Sequence, residues 1–222
     1  MFIATKRLST QTKTDLAALW RIAFPIMIQS LASSAVNLID ALMVGSLGDV
    51  SLTAVNINTQ FFSRFFLIIL FGLGSGGSVL IAQYWGIRDS KSVHRIMGVM
   101  FSIGMTFGVV FFFAVTLIPD RIVRLYTHDQ EVIRLAEIFL RLQAPVFLFH
   151  PITMVYTAGQ RATGHSRIPM LTGTSAFILN ALLNYVFIFG KFGAPRLGTT
   201  GASIGTLISR AVEFALMIFL TY

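Results

Sequence analysis

The stretch FPIMIQSLASSAVNLIDALMVG, residues 24–45, indicates the class of fold. It has the length and apolar composition of a helix that crosses a bilayer, which needs about 20 residues. Asp40 is the only charged residue in this stretch. Six apolar runs of this kind predict an all-α integral membrane protein, a six-helix transmembrane bundle that follows a solvated tail at residues 1–15. The predicted spans are residues 16–45, 52–84, 96–118, 138–158, 168–189 and 201–222.

The composition excludes an ordinary soluble domain. Of the 222 residues, 55% are hydrophobic and only 12% are charged, and the mean hydropathy is +0.77. Soluble domains contain about 25% charged residues, so most of the apolar surface here is expected to face lipid. Six spans and their loops leave no room for a soluble catalytic domain. Because the chain has no Cys, disulfides, thiolate chemistry and iron–sulfur clusters are also excluded.

The basic residues predict the orientation of the chain in the membrane. They flank the apolar runs, and cytoplasmic loops carry an excess of Lys and Arg. The side that includes the tail carries more of them and is therefore predicted to be cytoplasmic, with both termini on it. That side has Lys6, Arg7, Lys13, Arg21, Arg88, Lys91, Arg95, Arg161 and Arg167, against Arg121, Arg124, Arg134, Arg141, Lys191 and Arg196 on the other.

Several polar residues lie at similar depths within three of the predicted spans. At about 1.5 Å per helical residue, Asp40 and Thr206 both lie about 7 Å from the outer ends of their spans. On the fifth span, Asn184 lies about 9 Å deep and Asn180 about 15 Å deep, one turn apart on one face. Asn37 lies close to Asp40 on the first span, and we expect Asn56 and Asn58 near the same level.

A carboxylate among amide and hydroxyl groups suits a proton or a sodium ion. An ionisable group inside a membrane is costly and is therefore a functional hypothesis by default. Asp40, Asn180, Asn184, Thr206 and Asn37 are the predicted residues for cation coupling and substrate binding, with Na⁺ at Asp40 as one alternative to a proton. The competing interpretation is that the amides only join helices by hydrogen bonds. No other metal site and no organic cofactor is predicted.

Other motifs indicate structure more than chemistry. Arg210 and Glu213, three residues apart on the last span, are expected to neutralise each other, with a role in lining a cavity as the alternative. The sequence GLGSGG, residues 72–77, matches a dinucleotide motif but lacks the strand that should precede it. It instead predicts a bend in the second span and close helix packing at Gly72 and Gly76. The four His residues form no metal-ligand or catalytic set.

Four stretches together resemble the multidrug and toxic compound extrusion (MATE) family. They are FPIMIQSLASSAVNLIDALMVGSLGDVSLTAV, GSGGSVLIAQYWGIRD, AGQRATGHSRIPM and NALLNYVFIFGKFGAPRLGTTGASIGT, in chain order. The resemblance extends from about residue 16 to the end of the sequence. It implies one six-helix lobe, the N-terminal one, of a twelve-helix transporter rather than an enzyme.

The resemblance also implies a function and a set of site residues. The expected activity is cation-coupled antiport, driven by H⁺ or Na⁺, that exports amphipathic or cationic organic compounds from a bacterial inner (plasma) membrane by alternating access. Pro25 matches the proline that bends the first helix, Asp40 the coupling acid and Asn180 its polar neighbour. Asn184 stands where some members have Asp and others Asn, and Thr206 matches a further polar position.

Three accounts of the chain remain at this point. It is one lobe that works with a missing C-terminal lobe, a half-size transporter that pairs with a second copy, or a membrane fragment without transport activity. A second six-span unit would enter the membrane in the same orientation, giving parallel repeats. The sixth apolar run reaches Tyr222 without a following basic residue, which favours a longer parent protein.

Overall fold

The computed structural model describes the backbone of residues 2–221. Within that range it does not describe the side chains of residues 2–15, 17, 18, 21, 22, 63 and 64, so the predicted tail at residues 1–15 lies outside the described side chains. All described elements are helical, which confirms the all-α class. They are α1 (Phe2–Gly45), α2 (Asp49–Phe61), a π-helical segment (Phe62–Leu67), α3 (Ile68–Gly86), α4 (Ser90–Leu117), α5 (Pro119–Arg124), α6 (Gln130–Gln143), α7 (Val146–Ala162), α8 (Arg167–Phe189) and α9 (Thr199–Thr221).

Five helical stretches in the described part of the chain are long and apolar enough to cross a membrane. They are Ala23–Gly45, Asp49–Gly86, Ser90–Leu117, Arg167–Phe189 and Thr199–Thr221. The fourth predicted run is divided, because α6 ends at Gln143 and α7 begins at Val146. Pro145, between them, has no amide proton to continue a helical ladder. With 17 residues, α7 is at the lower limit of the length that crosses a bilayer core.

The second span has a helical irregularity that was not predicted, the π-helical segment. Helix α3 continues through residues 72–77 as an α-helix, and the bend expected there stays a prediction. The packing role expected of Gly72 and Gly76 is wrong, since nothing lies within 4 Å of where their Cβ atoms would be. Gly74 and Gly77, on another face, contact Met154 and Met100 instead.

Helix α8 organises the half of the bundle that carries the candidate site. It packs against α9 along most of its length and against α1 on another side. Gly190 ends α8 in a left-handed conformation, with φ at 65°, that side chains other than glycine rarely adopt. Gly201 then brings α9 against the backbone of α8, because a Cβ there would lie 2.6 Å from the carbonyl of Phe187. The polar faces of α1, α8 and α9 therefore meet.

The other half of the bundle is an aromatic core between the second, third and fourth apolar runs. Phe66 and Phe147 are fully buried, and their rings meet edge to face with centroids 4.8 Å apart. Phe111 stacks on Phe147 at 5.8 Å. Elsewhere, large apolar side chains such as Leu31 and Leu42 are about two-thirds exposed, at 68% and 67%. In a membrane protein such a surface faces lipid or another part of the assembly.

Candidate functional site

Four of the predicted site residues form one hydrogen-bonded chain across α1, α8 and α9, here called the polar cluster. The amide Nδ2 of Asn184 donates to Oδ1 of Asp40 at 2.8 Å. The same nitrogen lies 3.4 Å from Oδ1 of Asn180. Asn180 in turn donates from Nδ2 to the hydroxyl of Thr206 at 3.2 Å. The polar cluster therefore links three helices. Its two ends, Asp40 and Thr206, are 166 positions apart in the sequence.

The polar cluster lies on the wall of a cavity of about 400 Å³. Asn184 and Asn180 are buried, with 2% and 8% of their surface exposed, while Asp40 is half-buried. All four members of the polar cluster line the cavity, together with apolar side chains such as Phe62. The carboxylate is thus placed between a buried amide and an accessible space, where its partner can change.

Gly205 makes room for the central member of the polar cluster. A Cβ at Gly205 would overlap with Oδ1 of Asn184. The missing side chain on α9 therefore lets the Asn184 amide lie between α8 and α9 with its nitrogen towards Asp40. Gly205 was not among the predicted site residues, although its spacing of four from Gly201 is the pattern of small residues at helix contacts.

The remaining predicted residues have different positions. Asn37 and Asn56 line the same cavity without joining the hydrogen-bonded chain. The expectation that Asn58 lies with them is wrong, because its amide donates to the carbonyls of Ala54 and Ala136 at 2.8 and 3.2 Å and so joins α2 to α6. Pro25 is buried within α1, and the bend assigned to it stays a prediction.

Arg210 adds a cation to the cavity wall, and both expectations for it apply. Its Nη1 pairs with Oε2 of Glu213 at 2.7 Å, so the charges of this pair are balanced within α9. The guanidinium also lies over the ring of Phe177, 5.4 Å from the centroid, and lines the cavity. Arg210 has no ion pair with Asp40 among the described residues. Asp40 therefore remains the acid available to a cation from the cavity.

The donor set suits a light, hard cation better than a transition metal. Among the described residues, no three His, Cys, Asp or Glu side chains are grouped so that they could hold a metal ion. The oxygens of Asp40, Asn180, Asn184 and Thr206 are ligands of the kind that hard cations prefer. The Oδ1 of Asn184 is also buried and has no hydrogen-bond partner among the described residues. A buried oxygen without a donor is an acceptor that a rotation of the amide would present to a ligand.

A second polar contact joins α1 to α7 away from the polar cluster. The Nη2 of Arg161 donates to Oε1 of Gln29 at 2.6 Å. The amide of Gln29 lies against Gly173 of α8, where a Cβ would overlap with it. Arg161 Nε is buried without a partner in the described part of the chain. This inner contact, defined by Gln29, Arg161 and Gly173, was not expected from the sequence.

One protein family matches most of the chain. The family model MatE matches residues 25–186. The chain is 31% identical over 221 residues to the probable multidrug resistance protein YoeA of Bacillus subtilis (strain 168), which covers 96% of this chain and 47% of YoeA. It is 26% identical over 196 residues to the probable multidrug resistance protein NorM of Neisseria meningitidis serogroup B, covering 87% of this chain and 42% of NorM. The chain spans about half the length of these curated relatives.

Solved structures give the same result for the fold. A multidrug resistance MATE family transporter in an outward-facing conformation matches with a TM-score of 0.83 and 25% identity, over 92% of this chain and 44% of that one. An inward-facing conformation of a transporter with the same description matches with a TM-score of 0.74 and 27% identity, over 92% and 46% of the two chains. The fold is thus that of one part of a MATE transporter.

Proposed function

Because the chain belongs to the MatE family, whose relatives named above are multidrug resistance proteins and transporters rather than enzymes, we propose that it forms the N-terminal six-span lobe of a cation-coupled antiporter. In this proposal the antiporter exports amphipathic, often cationic, organic compounds. The observation that carries the proposal is the hydrogen bond from Asn184 to Asp40 on the wall of a cavity. It supports a carboxylate whose partner is exchanged during transport.

The polar cluster offers a way to exchange that partner. In the arrangement described above, Nδ2 of Asn184 faces Asp40, which satisfies an ionised carboxylate. A proton on Asp40 provides an O–H donor and a sodium ion beside it takes oxygen ligands, so either one favours an acceptor in place of this donor. Rotating the Asn184 amide by half a turn brings Oδ1, which has no partner in the described part of the chain, towards Asp40. We infer that this rotation accompanies binding of the coupling ion, H⁺ or Na⁺.

The cavity suits an amphipathic substrate. Aromatic and aliphatic side chains form much of its wall, and Phe177 already holds a cationic group through its ring face. A flat organic cation can bind to such a surface through ring faces and through Asp40. A cation bound at Asp40 competes with the coupling ion for the same carboxylate, which is how the two fluxes are coupled in opposite directions.

Alternating access requires that one end of the lobe closes while the other opens. The lobe matches both an outward-facing and an inward-facing structure, with TM-scores of 0.83 and 0.74. In this proposal the inner contact between Gln29 and Arg161 closes α1 against α7 at the cytoplasmic end. This placement rests on the predicted orientation, in which both termini are cytoplasmic in a bacterial inner membrane.

The lobe is proposed to work with a second six-span unit. Relatives are about twice as long as the region that matches this chain. Helix α1 has a row of exposed apolar side chains, among them Leu31, Leu38 and Leu42, on a helix of which little is covered. The second unit is a C-terminal lobe in the leading proposal, and a second copy of the chain in the half-size alternative.

The test is the substitution Asp40→Asn in the complete transporter. Removing the ionisable group while keeping its shape should leave membrane expression intact and abolish efflux driven by either a proton or a sodium gradient. Efflux of a fluorescent organic cation from loaded cells or vesicles measures this, with each gradient applied separately. The gradient that drives export in the unchanged protein identifies the coupling ion.

The matched control is Asp49→Asn. Asp49 is an exposed acid at the start of α2, outside the cavity lining. It should retain the efflux of the unchanged protein. Efflux that survives in Asp40→Asn, or that is lost equally in both variants, would remove Asp40 from the coupling role.

A further inference from the structure

A second cavity lies between α3 and α4, outside the polar cluster. Its volume is about 410 Å³, and it shares no residue with the cavity that contains Asp40. One end of this groove is apolar, with Leu73, Leu80 and Val99 among its lining residues. The other end has Tyr84, Ser92 and Arg95.

The groove changes from apolar to polar along the membrane normal. Leu73, Gly77, Leu80 and Tyr84 are spaced by three or four residues and so share one face of α3. From Leu73 to Tyr84 this face extends about 16 Å, close to half the thickness of a bilayer hydrocarbon core. Because α3 ends at Gly86 and α4 begins at Ser90, the polar residues of both helices lie at the same end. The groove therefore has the length and polarity of one lipid leaflet.

The polar end has an unpaired cation and an unpaired hydroxyl. Within the described part of the chain, neither the guanidinium of Arg95 nor the hydroxyl of Tyr84 has a hydrogen bond or an ion pair. Arg88 and Lys91 are exposed nearby in the connection between the helices. Asp89 is the one acid there, and its two oxygens accept from the amide and the hydroxyl of Ser92, at 3.1 and 2.5 Å. The excess charge at this end is therefore positive.

We propose that the groove binds a membrane phospholipid with an anionic headgroup. One acyl chain lies along Leu73, Leu80 and Val99, and the phosphate accepts hydrogen bonds from Arg95 and Tyr84. Basic pockets between transmembrane helices on the cytoplasmic side are suited to anionic headgroups. The site does not rest on the proposed transport function, because it uses none of the residues of the polar cluster.

Lipid binding to the purified 222-residue chain tests the proposal. The chain in detergent is titrated with dioleoylphosphatidylglycerol and, separately, with dioleoylphosphatidylcholine, which has the same acyl chains and no net charge. Native mass spectrometry counts the lipids that remain bound. We expect one phosphatidylglycerol to bind at lower concentration than phosphatidylcholine. Equal binding of the two lipids, or no retained lipid, would overturn the proposal.

Three variants distinguish a specific lipid-binding site from general attraction of anionic lipid to a positively charged surface. Arg95→Gln should weaken phosphatidylglycerol binding about fivefold, the effect of one basic residue near an anionic lipid, and leave phosphatidylcholine unchanged. Arg196→Gln removes an exposed cation from the loop between α8 and α9 and should change neither. Val99→Trp fills the groove at an exposed position and should weaken both lipids. Equal losses in Arg95→Gln and Arg196→Gln, or full binding in Val99→Trp, would contradict the proposed site.

Discussion

Asn184 is the residue through which the polar cluster is held together. Its amide nitrogen contacts both Asp40 and Asn180, and its oxygen is buried against Gly205. Counting helical depth in the sequence places Asp40, Asn184 and Thr206 at a common level, because a helix advances by a fixed distance per residue. Depth does not give the rotation of each helix about its axis. The direction of Asn184 depends on a missing side chain on α9, so the role of Gly205 emerges only in the folded bundle.

The substitution Gly205→Ala tests whether α9 positions the amide of Asn184. The added methyl group overlaps with Oδ1 of Asn184 and should displace the amide from Asp40. We expect the free energy of unfolding to fall by about 1–3 kcal/mol, as for other insertions into a tightly packed interior. Coupled efflux by the complete transporter should fall as well, because Asp40 loses its hydrogen-bond donor. Thermal unfolding of the purified chain and the efflux assay measure the two effects.

Gly72→Ala is the control for this prediction. A Cβ at Gly72 meets nothing within 4 Å, so the same chemical change is made in open space on α3. Alanine also favours a helix over glycine, and stability should be unchanged or slightly higher. If both alanine variants behave alike, the contact between Gly205 and Asn184 does not position the amide.

The elements of the bundle follow from the sequence to different degrees. The apolar runs give the order of the membrane helices, because hydrophobic length is a local property. The break at Ala144–Pro145 also has a local cause, because Pro145 lacks the amide proton that continues a helix. The π-helical segment at Phe62–Leu67 has no comparable signal in the sequence. The inner contact is non-local, since Gln29 and Arg161 are 132 positions apart. No periodicity within α1 or α7 indicates that these two side chains meet.

We expect Gln29→Ala to weaken the packing of α1 against α7. The substitution leaves the partly buried guanidinium of Arg161 without its acceptor. A buried polar group that loses its partner costs about 1–3 kcal/mol. The midpoint of thermal unfolding should fall accordingly. Gln83→Ala, an exposed glutamine of α3 whose side chain has no hydrogen bond among the described residues, should unfold like the unchanged chain. A midpoint for Gln29→Ala that equals that of Gln83→Ala would exclude a stabilising inner contact.

In the whole molecule, the polar cluster and the cavity lie within one helical bundle. The relatives that match are about twice as long as the matching region, so we propose that transport needs a larger assembly. The two proposed assemblies differ in what the chain does by itself. A lobe of a longer transporter lacks its partner when it is isolated. A half-size transporter, in contrast, forms a dimer with another copy of the same chain.

The mass of the isolated chain in solution distinguishes between the two proposed assemblies. As one lobe of a longer transporter, the chain purified in mild detergent should have the mass of a single chain, 24.5 kDa, by native mass spectrometry. As a half-size transporter it should have twice that mass, and crosslinking in membranes should trap the same pair. A predominant dimer would therefore contradict the leading proposal and support the half-size alternative.

We propose that Asp40 exchanges its partner with the coupling ion, and infrared difference spectroscopy of the purified protein detects such an exchange at the carboxyl group itself. Spectra recorded on a change of pH or of Na⁺ concentration report carboxyl groups that gain or lose a proton or a cation. We expect a carboxyl signal that is present in the unchanged protein and in Asp49→Asn and absent in Asp40→Asn. A spectrum that Asp40→Asn leaves unchanged would contradict the account.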